Sequence, residues 1–137
     1  MANVLDNLSA NLVVNPDLAL VAGTNFFLAD LPALPDVATV LREYGGSAPD
    51  LRFGRAAIAV EHLRVQVVCR GAADDYTGPR ARAEKVYKAL VAIQAATLSG
   101  VFYHGVYPQQ APFPIRRDQL GRWEIGFNVQ IDKEPNT

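Results

Sequence analysis

Residues 122–131 read RWEIGFNVQI. Trp123, Ile125, Phe127, Val129 and Ile131 alternate with Glu124, Gly126, Asn128 and Gln130. Period-two alternation places one set of side chains in a core and the other on the opposite face, so this stretch predicts a half-buried strand. Extended to Asp132, the second face carries two acids, two amides, a glycine and no base. A chain of 137 residues built around such a strand has the size of one domain, residues 1–137, able to bury about two thirds of its unfolded surface.

The other segments predict an α+β domain. Val4, Leu5, Leu8 and Leu12 share a helical stripe, which predicts a helix from about Ala2 to Val14, closed before Pro16. Asn25 to Ala29 predicts a short strand, and Val37 to Tyr44 a second one stopped by Gly45-Gly46. SAPDLRFGR then predicts a turn-rich connection. AAIAVEHLRVQVVCRG has Leu63, Val65, Val67 and Cys69 on one face and Arg64, Gln66, Val68 and Arg70 on the other. It fits one long strand, or two with a break near Glu61-His62.

Pro79 is acceptable in the first turn of a helix, where its missing N–H costs nothing. Ala83, Val86, Tyr87, Leu90 and Ile93 then keep helical spacing, and Gly100 is the expected stop. VFYHGVYPQ predicts a strand, and PQQAPFPIRRDQLG a loop leading into the final strand. The expected architecture is a mainly antiparallel sheet with two principal helices on one side and a C-terminal β-hairpin.

Charge is divided unevenly along the chain. Residues 1–41 hold Asp6, Asp17, Asp30 and Asp36 and no base, whereas all 13 Lys and Arg follow, against ten acids. Unlike surfaces attract and steer association, so a −4 and a +3 segment favour head-to-tail contact between copies. The overall charge of −1 argues against a general nucleic-acid binder. The first base is Arg42, so no basic leader is visible, and no apolar run reaches the ~20 residues of a membrane span. A soluble protein made in the cytoplasm is expected. The single cysteine, Cys69, excludes an internal disulfide.

Chemistry-bearing patterns are sparse. His62 and Cys69 face opposite sides of a continuous strand and His104 lies far away, so neither metal nor cofactor is expected. Neither histidine stands beside a serine or cysteine in a nucleophile setting. Asp74-Asp75 precede a helix, where carboxylates favour the N-terminus. Trp123 and Phe127 share the apolar face, which assigns them to the core and not to an RNA-stacking surface. Arg64, Arg70, Arg116, Arg117 and Arg122 remain as candidate interface residues, because the planar guanidinium pairs with carboxylates while its stem packs. Asp118 joins them: it and Arg122 bracket the last turn and are expected to hold each other or the neighbouring backbone, with an intersubunit role as the alternative.

The order of these pieces resembles the tail terminator (minor capsid, tail completion) proteins of long-tailed bacteriophages. The matching stretches are the N-terminal helix, GTNFFLADLP at 23–32, the strand ending in EYGG at 43–46, LRVQVVCRG at 63–71, ARAEKVYKALVAIQ at 81–94 and APFPIRRDQLGRWEIGFNVQI at 111–131. In the last block Pro112, Asp118, Gly121 and Arg122 hold the expected order. The resemblance implies a virion protein assembled in the host cytoplasm and working at the head–tail junction without catalysis. It implies a homo-oligomeric ring, usually of six subunits, that caps the tail tube and meets the head completion or connector protein. Glu124, Asn128, Gln130 and Asp132 are then candidate lumen residues, past which DNA slides without sequence-specific binding, because carboxylates repel phosphates and amides stay neutral. The alternatives are a head-side adaptor or neck protein and a small enzyme using His104 or His62.

Overall fold

The computed structural model describes residues 2–54 and 57–136. The elements run α1 (Val4–Val13), β1 (Phe26–Leu28), β2 (Ala38–Leu51), β3 (Ile58–Ala73), α2 (Thr77–Val91), β4 (Gln94–Leu98), β5 (Val101–Pro108), β6 (Phe113–Arg117) and β7 (Arg122–Lys133). The described strands form one sheet in the order β1-β2-β3-β7-β5-β4, with β6 also pairing β7. Only β1 and β2 run parallel. This is the expected α+β class with a mainly antiparallel sheet.

Both helices pack on one face. Leu5, Leu8 and Leu12 of α1 and Ala83, Val86 and Leu90 of α2 join Val65, Val67, Cys69, Ile125, Phe127, Val129 and Ile131 in one buried cluster. Tyr87 meets the ring of Phe127 edge-on at 5.3 Å. Asn3 starts α1 with a reciprocal capping box, its side chain accepting from Asp6 N–H and Asp6 accepting from Asn3 N–H. Ahead of α2, Asp75 accepts the Gly78 N–H over 3.0 Å, a single bond to its first turn.

Three expected boundaries are corrected. Gly45-Gly46 do not stop β2. The strand runs on to Leu51, and the register shift between Glu43 and Gly45 marks a β-bulge, with Gly45 at φ +122°. Gly46 then lies so close to the His62 carbonyl that a Cβ would collide with it. SAPDLRFGR is therefore largely strand and turn; Arg55 and Ala56 lie outside the described residues.

Likewise α2 ends at Val91, and Gly100 (φ +80°) belongs to the turn between β4 and β5. The stretch between β5 and β7, expected to be a loop, contains β6. Pro112 and Pro114 disguised it, although a proline is tolerated on an edge strand. β3 is continuous through Glu61-His62.

Candidate assembly surfaces

The face opposite the helices holds most of the residues singled out above. Arg70 of β3 and Glu124 of β7 are cross-strand partners, and Arg116 of β6 is Glu124's partner on the other side. Segment 32–36 crosses this end of the sheet and turns its carbonyls inward. Arg70 donates to the backbone oxygens of Pro32 (2.6 Å), Pro35 (2.7 Å) and Asp36 (3.0 Å). Arg122 donates to the Ala33 carbonyl (2.6 Å), to Asp36 (3.0 Å) and to Asp118 Oδ2 (2.8 Å). Arg70, Arg122 and Glu124 are consequently buried.

Buried charges persist only when paired and hydrogen-bonded, and this network meets that requirement. Burial by itself raises the Asp118 pKa. The hydrogen bonds from Arg122 N–H, the Arg122 side chain and Leu120 N–H outweigh it and hold the carboxyl below its usual range. Burial, with the nearby Arg122 charge, pulls the Arg70 guanidinium down.

Sequence reasoning made Arg70 and Arg122 interface candidates, whereas the structure spends both on the chain's own 32–36 segment. Arg116 keeps its side chain 63% exposed while pairing Glu124 at 2.9 Å. Arg117 pairs with Asp74 and stands 5.7 Å over the Trp123 ring. Arg64, with Arg42, lies nearer the middle of the face, and each has a buried Nε without a partner among the described residues.

The polar side of β7 is less acidic than its own residues suggest. Glu124 is matched by Arg116, and Asp132 accepts from His62 Nδ1 at 2.6 Å and from Gln130 at 3.1 Å. Arg64 lies opposite Gln130, and Gln66 opposite Asn128. The neighbouring strands thus add bases that β7 alone does not show.

His62 also reaches Asp50 at 3.0 Å, tying β2, β3 and β7 together. Its pKa is raised, first by the hydrogen bond to Asp132 and next by that to Asp50. Cys69 is buried against Thr39, and burial pushes its thiol up. His104 meets Phe102 edge-on at 4.9 Å. Among the described residues no group of three His, Cys, Asp or Glu is placed to hold a metal, and no helix is long and apolar enough to cross a membrane.

Two surfaces escaped the sequence reading. The first is the arm formed by the distal halves of β2 and β3, which extends past Glu61, where β7 stops pairing with β3. Leu51 (60%) and Phe53 (105%) are exposed at its tip. The second is an open pocket of about 390 Å³ at the start of α2, lined by Tyr76, Thr77, Arg80, Ala81 and Glu84. Large apolar residues inside a turn-rich segment, as in DLRFG, were the available signal for the arm.

The fold recurs in solved structures. A chain of the virion of a native gene transfer agent particle superposes with a TM-score of 0.69 at 16% identity, over 96% of this chain and 95% of that one. A second solved structure gives a TM-score of 0.59 at 12% identity, over 99% of each chain. No curated protein matches significantly in sequence. The family model of the bacteriophage tail terminator protein matches residues 8–135, nearly the whole chain. The chain therefore belongs to the bacteriophage tail terminator protein family.

Proposed function

We propose that this protein is a structural component of the virion that caps the tail tube as a homo-oligomeric ring, in the number of six usual for such rings. The ring ends tube polymerisation and offers its far face to the head completion or connector protein. The observation that carries this reading is the family match over residues 8–135. It is supported by large apolar residues that stand exposed, Leu51, Phe53 and Leu120 among them, as surfaces that meet other chains do.

On this reading the sheet face opposite the helices is the candidate lumen lining. Asn128, Gln130 and Asp132 lie there partly exposed, with Asp132 paired to His62, whereas Glu124, expected in the same lining, is buried beneath Arg116 and drops out of it. A surface of amides and matched charges gives a phosphate backbone little to release counterions against, so DNA passes without being held. Arg42 and Arg64 are the bases that such a lining must keep engaged, and neighbouring subunits supply carboxylates for them.

The test is co-sedimentation of the purified protein with tail tubes and, separately, with heads carrying their connector. Stoichiometric binding to one end of the tubes is expected. Binding to connector-bearing heads alone would assign the protein to the head side of the joint as an adaptor.

A further inference from the structure

The arm tip and the Tyr76 pocket are the two halves of one contact, made between neighbouring copies of this chain: we infer that Phe53 of one copy seats in the pocket at the start of α2 of the next. This rests on the ring reading above and names the surfaces that close it.

Phe53 is fully exposed, with Leu51 beside it. The arm is only two strands wide there, because β3 residues before Glu61 have no partner in β7. A two-stranded hairpin with an apolar tip gains little from water and needs a surface to lie on. The pocket offers one. Tyr76 is half-exposed and fixed from behind by Trp123, edge-on at 5.4 Å, while Ala81 leaves space above the helix. A volume of about 390 Å³ is ample for a phenyl ring.

The occupant is a second copy for two reasons. First, tip and pocket lie at opposite ends of the sixteen-residue β3, roughly 50 Å apart at ~3.3 Å per residue, so a chain cannot fill its own pocket. Different surfaces at opposite ends give a head-to-tail contact, the kind that closes rings. Second, the charges match. Tip and rim each carry both signs: Asp50, still 64% exposed beside His62, and Arg52 at the tip, and the part-exposed Arg80–Glu84 pair (2.7 Å) at the pocket, so opposite charges can meet across the joint.

Phe53→Asp and Ala81→Glu test this without touching the core, since both positions are exposed. Each variant is expected to keep the wild-type melting curve and to weaken self-association at least about tenfold, the loss typical of a central anchor. Mixed together they should give one-to-one dimers that cannot grow, because only one competent joint remains. A chain carrying both Phe53→Cys and Ala81→Cys should form a ladder of disulfide-linked multimers, in solution or on tail tubes, and neither single variant should; Cys69 is buried and stays out of the reaction. Wild-type rings with no ladder and no weakening in either variant would overturn the inference while leaving the ring intact. Normal rings that have lost tube binding would assign the arm to the tube protein and also overturn it. A wild-type chain that remains monomeric both in solution and on tubes would instead remove the ring, and this contact with it.

Discussion

Arg122 donates its Nε to Asp118 Oδ2 over 2.8 Å, and the two side chains are only 6% and 9% exposed. The pair closes the turn between β6 and β7, and through the Ala33 carbonyl and Asp36 it also fastens segment 32–36 to the sheet. Taking away the guanidinium leaves Asp118 shielded, with only two backbone N–H groups and no opposite charge bonded to it. Arg122→Ala is therefore expected to cost about 3 kcal/mol of unfolding free energy, the scale for breaking a buried pair. Urea denaturation measures it. A loss below about 0.5 kcal/mol, the range of ordinary surface changes, would mean that water already satisfies the site.

His62 and Asp118 act in opposite pH directions. His62 has a folded pKa above its unfolded value, so its contribution is complete below the ordinary histidine value, about 6.5, and is lost as pH rises through the folded value. Asp118 has a depressed folded pKa. Its contribution is complete above the ordinary carboxylate range and is lost as pH falls through the folded value. Asp132→Asn removes the largest cause of the His62 shift and should shrink the loss of stability on the alkaline side. Melting curves across a pH series decide this, and an unchanged slope in the variant would contradict it.

Tyr103 is fully buried, and its hydroxyl accepts from Asn7 Nδ2 over 2.8 Å, joining β5 to α1. Tyr103→Phe strands that buried amide, which should cost about 1–3 kcal/mol. Assembly should be unaffected at temperatures where the variant is folded. An unchanged melting temperature would show that the amide finds another partner.

Much of the fold was legible because β3 and β7 carry regular alternation over long runs. Val65, Val67 and Cys69 on one strand and Ile125, Phe127 and Val129 on the other all reached the core. What misled were residues whose meaning depends on distant parts of the chain. Gly45-Gly46 has the composition of a stop, yet as a bulge against His62 it continues the strand. Gly100 closes a turn one element further on than expected, since Gln94–Leu98 forms a strand of its own that pairs with β5.

The candidate site was less legible than the fold. Alternation puts Glu124 on the polar face but cannot show that Arg116 and a proline-rich crossing cover it. Arg70 resembled a free interface arginine because its partners are backbone carbonyls, which no side-chain pattern reveals, whereas the Arg122–Asp118 pair was expected from their places on either side of the turn. The arm was hidden by the early stop at Gly45-Gly46, and with it the exposed Phe53.

Gly126 of β7 packs directly against the β3 backbone at Val67. A Cβ there would run into the Val67 carbonyl and lie 2.7 Å from Ile115 Cδ1. Backbone on that side cannot yield without breaking the ladder, so Gly126→Ala should lower stability by about 2 kcal/mol and reduce soluble yield. Differential scanning calorimetry tests it, and a wild-type melting temperature would show that the two strands can separate at no cost.

On the proposed reading the chain works by closing a ring on the tail tube. Negative-stain microscopy of the purified protein, alone and mixed with tail tubes, addresses it directly. The expected result is closed rings with six-fold class averages, free in solution or seated at one end of each tube. Particles that stay at the 14.9 kDa monomer mass by light scattering, beside tubes whose ends remain bare, would contradict it.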